Sequence, residues 1–485
     1  MPPLCTISPL PWVRLGAVLL ALASAPMAQR QAQNPLRIVA QEPRPNASRV
    51  PRDTSILLRF DRALKDPVLS PRNLHVLGRW SGVTPATYRV EERGRALRVT
   101  PLSPFSAGER VTVVLARGFE DEFGQTLERG FAWSFWIASR ASSATWTQVD
   151  TLVPGVVPYG AYGGDLDEDG DLDLCIPNEG TANVSVFLNY GGGYGIPVHY
   201  PVGRRCSANE GADLDFDGKL DLVVENIDDD DVSVLLGNGD GTFLPQMRFA
   251  VGDQPRGLAL LDADGDGDLD IATANRTSSD VSLLLGRGDG TFEPEIRFEG
   301  GVAGEKGCCA ADMNGDGAFD LVVIGIDDDC ARVLLNDGFG TFTPGPKLLV
   351  GDRPWMVEAA DADGDGWTDV GIALAGSVGA VDFCRGDGQG GLLAPTTHVT
   401  GPFTIAVDFG DLTGDGLLDM TGSSFNGQSF TLFQNTGTAF SPLQVLPALG
   451  AGSCTVLHDV DGDGDLDVTG IDEVADRVYL FLQDG

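Results

Sequence analysis

The sequence predicts an all-β chain, a small β-sandwich followed by a seven-bladed β-propeller. Three observations point there: a nine-residue acidic cluster recurs seven times at a nearly constant interval, the runs between clusters have strand character, and the segment ahead of the first cluster differs in composition.

The clusters are DLDEDGDLD from Asp165, DLDFDGKLD from Asp213, DADGDGDLD from Asp262, DMNGDGAFD from Asp312, DADGDGWTD from Asp361, DLTGDGLLD from Asp411 and DVDGDGDLD from Asp459. Their first aspartates lie 48, 49, 50, 49, 50 and 48 positions apart, a period of the size expected for one blade. One order of events repeats between them, clearest from Gly257 to Gly301. The run GLALL enters the cluster, LDIATAN leaves it, DVSLLLG comes after a polar stretch, and EIRFEGG follows the turn GDGTF. Short apolar runs bounded by Gly, Asp and Asn, without helical periodicity, are strands, and four antiparallel strands per repeat of this length describe a propeller blade.

The last copy ends at RVYLFLQDG and lacks the fourth run. Trp146 stands 19 residues before Asp165, as Phe243 stands before Asp262 and Phe440 before Asp459. Residues Trp146 to Gly155 are therefore expected to supply the outer strand of the blade holding Asp459. That exchange fastens the first blade to the last and removes two open sheet edges.

Ahead of the repeats, residues 1–28 read as a secretory signal: Arg14, an apolar run from Leu15 to Ala23, then small residues through Ala28. Residues 34–137 are richer in Arg and free of Asp-Gly clusters. There SILLRFDRAL, LRVTPLSPFSAGERVTVVL and FAWSFWI read as strands between Pro and Gly turns, a pattern suited to a sandwich. The small, polar stretch ASRASSA, residues 138–144, suits a linker, leaving 145–485 for the propeller.

Charge and cysteine usage narrow the function. With 33 Lys and Arg against 70 Asp and Glu, a net charge of -37, the chain cannot replace the counterions of a nucleic acid, and an anionic membrane surface is disfavoured on the same ground. Beyond the leader no run approaches the roughly 20 apolar residues of a membrane span, so no membrane insertion is expected. The mature chain is read as secreted, extracellular, at the cell surface or in the periplasm. Cys175, Cys206, Cys308, Cys309, Cys330, Cys384 and Cys454 are odd in number and hold no CxxC, which suits mainly buried free thiols. Of His75, His199, His398 and His458, none falls in a catalytic motif, and no catalytic residue is assigned.

Each cluster follows D-x-[DNT]-x-D-G-x-x-D. Short carboxylates at alternate positions of a tight loop turn several oxygens inward, as calcium requires. Side-chain ligands are expected at positions one, three, five and nine. These are Asp165, Asp167, Asp169 and Asp173; Asp213, Asp215, Asp217 and Asp221; Asp262, Asp264, Asp266 and Asp270; Asp312, Asn314, Asp316 and Asp320; Asp361, Asp363, Asp365 and Asp369; Asp411, Thr413, Asp415 and Asp419; and Asp459, Asp461, Asp463 and Asp467. Position seven, which is Asp171, Lys219, Asp268, Ala318, Trp367, Leu417 or Asp465, is expected to offer its backbone carbonyl. Gly fills position six throughout, where the backbone must turn in a way only Gly takes cheaply. An EF-hand is disfavoured because position twelve is Ile176 in the first copy and Val224 in the second, and both flanks are strands. Up to seven calcium ions follow. The weakest site is expected at Asp411, where Thr413 replaces a carboxylate. Without a cation the carboxylates repel one another, so the metal is expected to be close to a requirement for folding.

The loops, their period and the GDGTF turns resemble the FG-GAP/VCBS repeat family, whose relatives include the calcium-binding blades of integrin α-subunit propellers. The resemblance covers residues from about 145 to 485 and implies mainly structural calcium, in the loop between the first two strands of each blade. Residues 34–137, through PRPNASRVPRDTSILLRFDRAL and FGQTLERGFAWSFWI, are similar to bacterial Ig-like domains of exported proteins.

With the metal structural, ligand recognition falls to the opposite face. Arg204, Arg205, Arg256, Lys306 and Arg353, with Trp355, stand in connections expected to converge there near the central axis. The expectation is a ring of positive charge that receives an anionic group of an extracellular glycan or protein partner; the competing reading has these residues balance the acidic loops 227–231 and 326–330. The chain thus reads as a non-enzymatic binding or adhesion protein. The alternatives are a polysaccharide lyase or dehydratase on the same scaffold, or a structural envelope or matrix component.

Overall fold

The computed structural model describes residues 34–65, 70, 72–191 and 193–483; the leader reading lies outside them. The described chain is all-β apart from one 3-10 turn at Glu92–Gly94.

Two four-stranded antiparallel sheets precede the repeats. One holds, in spatial order, Ile38–Glu42, Ile56–Phe60, Ala96–Pro101 and Ala86–Glu91; the other holds Gly82–Val83, Leu74–Gly78, Arg110–Leu115 and Phe131–Trp136. Alternate residues point inward, as the twofold period of a strand requires. Ile56, Leu58 and Phe60 of the first sheet meet Val111, Val113, Trp133 and Phe135 of the second in one core.

Seven more four-stranded antiparallel sheets follow, six of them in plain sequence order. Their first strands are Tyr162–Gly164, Cys206–Ala212, Pro255–Leu261, Glu305–Ala311, Pro354–Ala360, Val407–Gly410 and Cys454–His458. Each packs on the next, and the last packs on the first, so the ring is closed with these strands innermost. Second strands begin at the ninth position of each acidic cluster, and all seven, from Asp173–Asn178 to Asp467–Asp472, are buried along their whole length. Burial on both faces explains why their sequences run apolar without alternation. Aromatic contacts join neighbouring blades farther out: Tyr200 meets Phe243 at 5.4 Å, Phe249 meets Phe292 at 5.1 Å, and Phe298 stacks on Phe342 at 5.2 Å.

The seventh blade is completed from the other end of the repeat region. Trp146–Leu152 pairs with Arg477–Gln483, in register from Trp146 opposite Gln483 to Leu152 opposite Val478. Trp146 is buried, and its indole N–H donates to the Leu466 carbonyl at 3.0 Å. Replacing it with Ala removes the largest side chain of the closure. Trp146→Ala is expected to lower unfolding stability by about 3–5 kcal/mol, read as a shift in the urea midpoint, with fraying of the seventh blade visible by hydrogen exchange.

The seven cysteines among the described residues are free and buried. No helix among the described residues is long and apolar enough to cross a membrane.

Candidate functional sites on the two faces of the ring

Each acidic cluster forms the connection between first and second strands, so all seven lie on one face. The position-six glycines have φ between +83° and +98°, a conformation costly for any residue with a Cβ. Hydrogen bonds wind each loop around its own carboxylates. The position-one carboxylate accepts from the N–H of position six, as Asp165 does from Gly170 at 3.2 Å and Asp411 from Gly416 at 2.8 Å. Position five accepts from position seven, as Asp316 does from Ala318 at 2.9 Å. Position nine ties the loop to the blade: Asp173 accepts from Leu166 at 2.9 Å and, with its other oxygen, from Asn189 at 2.8 Å, where the third strand ends.

What the loops leave unpaired defines the chemistry. Asp165 Oδ1, Asp167 Oδ1, Asp213 Oδ1, Asp411 Oδ1, Thr413 Oγ1 and Asp459 Oδ1 are buried without a hydrogen-bond partner. Carboxylate oxygens of Asp165, Asp167 and Asp173 lie within 4.8 Å of one another, as do those of Asp213, Asp215 and Asp221, of Asp262, Asp264 and Asp270, and of Asp459, Asp461 and Asp467. Positions one, three and nine thus converge in four loops. In the fifth blade the convergent set is Asp361, Asp363 and Asp365, positions one, three and five. Position five elsewhere, Asp169, Asp217, Asp266 and Asp463, stays outside these triads. The loops beginning at Asp312 and Asp411 bring Asn314 and Thr413 to position three, which leaves them with fewer carboxylates. Burial, reinforced by the neighbouring loop carboxylates, pushes Asp165 and Asp213 up to about 6, Asp173 to about 7, and Asp221 and Asp467 to about 8. Buried, unpartnered oxygens crowded this closely fit a hard cation. These groups could hold a metal ion.

The sandwich sits on this face. Arg117 N donates to the Gly265 carbonyl at 3.0 Å, Ala132 N to Gly317 at 2.7 Å, Arg140 N to Gly464 at 2.6 Å, and Asp165 N to the Trp80 carbonyl at 3.0 Å. Arg129 reaches the Asp316 carboxylate at 3.1 Å and Arg140 that of Asp463 at 3.4 Å. Asn46 donates to the Gly366 carbonyl at 3.3 Å. The stretch 138–144 is held down too, since Ser139 donates to the Asp411 carbonyl at 2.6 Å. Backbones approach closely here: a Cβ at Gly130 would come within 2.5 Å of the Gly265 Cα, and one at Gly267 closer still to the Arg72 carbonyl oxygen. Apolar residues complete the seam: Trp80 enters the core between the first and second blades, Val114 and Ala132 that between the third and fourth, and Trp136 that between the fifth and sixth.

Two sandwich residues reach the axial layer. Arg79 ion-pairs with Asp408 at 3.1 Å, and Arg110 with Glu358 at 3.3 Å. Glu210, Glu358 and Asp408 each stand three residues before the first Asp of a loop, and so form one layer of the innermost strands. Burial raises Glu210 to about 7, although Arg79 draws it down. Sequence reasoning missed Arg79, Arg110 and these three acids; the signal available was a carboxylate three residues before the loop in three copies, where the others carry Tyr162, Ala259, Cys309 and Val456.

Three residues farther out, six before each loop, the layer reads Tyr159, Ser207, Arg256, Lys306, Trp355, Ile405 and Ser453. Tyr159, Arg256, Lys306 and Trp355 line an axial cavity of about 100 Å3 that reaches inward to Arg79. Lys306 is 2% exposed and lies 4.0 Å from the centroid of the Trp355 ring. Burial, then Arg256, hold its amine well below the usual lysine range, against the pull of Glu225. The Trp355 indole N–H donates to the Tyr159 hydroxyl at 2.7 Å.

The expected ring of positive charge is not what forms. Arg256, Lys306 and Trp355 converge on the axis, but Arg204, Arg205 and Arg353 do not. These three precede the first strands, Arg205 and Arg353 in turns with φ of +55° and +58°, and the turns carry them to the rim. Arg204 pairs with Asp229 at 2.6 Å, and Arg205 with Glu179 at 3.4 Å and Asp228 at 3.5 Å. Arg353 lies 5.4 Å over Phe403. The acidic loop 227–231 thus neutralises two of the five basic residues.

The FG-GAP-like repeat family matches residues 165–224, 213–273, 262–323 and 312–372, and the bacterial Ig-like domain family matches residues 32–136. The chain carries FG-GAP-like repeats behind an N-terminal bacterial Ig-like domain. The four FG-GAP matches each run from one acidic loop into the next and together reach from the first loop to the fifth of seven, and the Ig-like match spans both sheets of the sandwich. No curated protein matches the chain in sequence. Among solved structures it is similar to an auxiliary nutrient binding protein from Bacteroides thetaiotaomicron, at 9% identity over 94% of this chain and 99% of that one with a TM-score of 0.39, a likeness too slight to bear on fold or function.

Proposed function

We propose that the chain is a secreted, calcium-stabilised binding protein, without catalytic activity, whose ligand is an extracellular glycan or protein partner held on the propeller face opposite the Asp loops. The observation that carries this reading is the coverage of the loop face. With the Ig-like domain seated on the loops and Arg79 at the inner end of the channel, the recognition chemistry of the ring lies at the other mouth, in Arg256, Lys306, Trp355 and Tyr159. On this reading residues 1–28 direct export, 34–137 and 145–485 are the two domains joined through 138–144, and calcium is held by positions one, three, five and nine of each loop. The ion supplies countercharge and a fixed coordination sphere; the chain's own part is to hold the oxygens in place through the backbone bonds of each loop.

Pull-down and glycan-array screening of the calcium-saturated protein tests the reading. Arg256→Ala and Trp355→Ala are each expected to weaken retention about tenfold or more, as truncation of buried Arg and Trp anchors does. Retention unchanged in both variants would overturn it.

A further inference from the structure

The axial cavity has a chemical character that narrows its ligand, on the reading that this face binds. Its wall is balanced in charge: Arg79, Arg256 and Lys306 stand against Glu210, Glu358 and Asp408, and Glu179 approaches Arg256 at 3.9 Å. An anionic group would meet as many carboxylates as cations there, and so would an ammonium group, so neither sign is favoured. Two wall atoms have no hydrogen-bond partner among the described residues, Arg256 Nε and Asn209 Oδ1. Both side chains are buried, Asn209 at 6% exposure and the Arg256 side chain at 9%. One is a donor and the other an acceptor. Asn209 is oriented by its own amide, which donates to the Cys175 carbonyl at 3.2 Å. The Tyr159 hydroxyl accepts from Trp355, so its own hydrogen is free to donate. A buried donor and a buried acceptor left unpaired are both costly, and a hydroxyl satisfies either. Arg79, held by Asp408, closes the inner end, so a ligand enters by its tip, and about 100 Å3 suits a few waters or one ring-sized group.

We propose that this pocket seats the terminal residue of an uncharged saccharide end-on, its hydroxyls pairing with Arg256 Nε and Asn209 Oδ1 against the aromatic walls of Trp355 and Tyr159. The test uses the calcium-saturated full chain on an array of neutral, uronate-bearing and sulfated oligosaccharides, followed by calorimetric titration of the best binder at low and high salt. A neutral oligosaccharide is expected to be retained, with affinity insensitive to salt and lost about tenfold or more in Asn209→Leu and Trp355→Ala. Thermal melts of each variant separate loss of the site from loss of the fold. Retention of anionic glycans alone, or of a protein and no glycan, overturns the saccharide assignment and leaves the face intact if Trp355→Ala abolishes it. A neutral glycan whose retention ignores both Asn209→Leu and Trp355→Ala overturns the pocket and the face together.

Discussion

Exhaustive chelation is expected to unfold the ring or reduce it to a loosely packed state, seen as loss of the cooperative melting transition and exposure of the buried second strands to hydrogen exchange. Twelve loop aspartates at positions one and nine are lifted to between about 6 and about 8, burial being the leading cause in each. Their unfolded values are about 3.9. A carboxylate whose folded pKa is raised contributes stability that is present below the unfolded pKa and is lost as pH rises through the folded one. Metal-free protein should therefore recover a melting transition toward pH 5 that it lacks at pH 8. With calcium the slope reverses, because protons and the cation compete for the same oxygens, and acidification should lower the melting temperature. Scanning calorimetry with and without chelator across this range reads both slopes. A native melting transition that persists unchanged at pH 8 after the metal is stripped would defeat the argument.

The period of the acidic clusters made the ring legible, because a repeat reports its own geometry: loop spacing, strand order and the closure by Trp146 all follow from one interval. The four triads at positions one, three and nine were legible for the same reason. What was not legible is the relation between the two domains. FAWSFWI reads as a sandwich strand, yet it is apolar on both faces; Trp133 and Phe135 fill the sandwich, while Ala132 and Trp136 turn outward into the propeller. A strand buried on both sides signals a second partner without saying which. The error over the basic residues has another source. Arg205 and Lys306 stand eight and six residues before their loops, one in a turn and one in a strand, and Arg205 meets Glu179 of the preceding blade, a pairing set by how consecutive blades pack rather than by any local pattern.

Arg79 should be the most sensitive residue outside the repeats. It is the cation that meets Asp408 at the axis, with Glu358 and Glu210 also acting on its charge, and it stacks 4.3 Å over the Trp80 ring at the seam. Replacing Arg79 with Leu leaves buried carboxylates without their countercharge, and breaking one side of such a pair costs about 3–5 kcal/mol. The expected result is a urea midpoint shifted by that amount, together with an Ig-like domain released for proteolysis from a ring that still binds calcium. The loss should deepen as pH rises, since the orphaned acids must then ionise in a buried layer. Neutralising the layer tests the mechanism against simple loss of packing: Asp408→Asn and Glu210→Gln added to Arg79→Leu should recover much of the stability, because both domains then meet through uncharged groups. If those additions recover nothing, Arg79 acts through its packing on Trp80 and not through charge. The same triple variant would also show whether the inner end of the axial pocket needs a guanidinium or only a filled volume, since a ligand that touches the wall alone should bind it as it binds the parent chain.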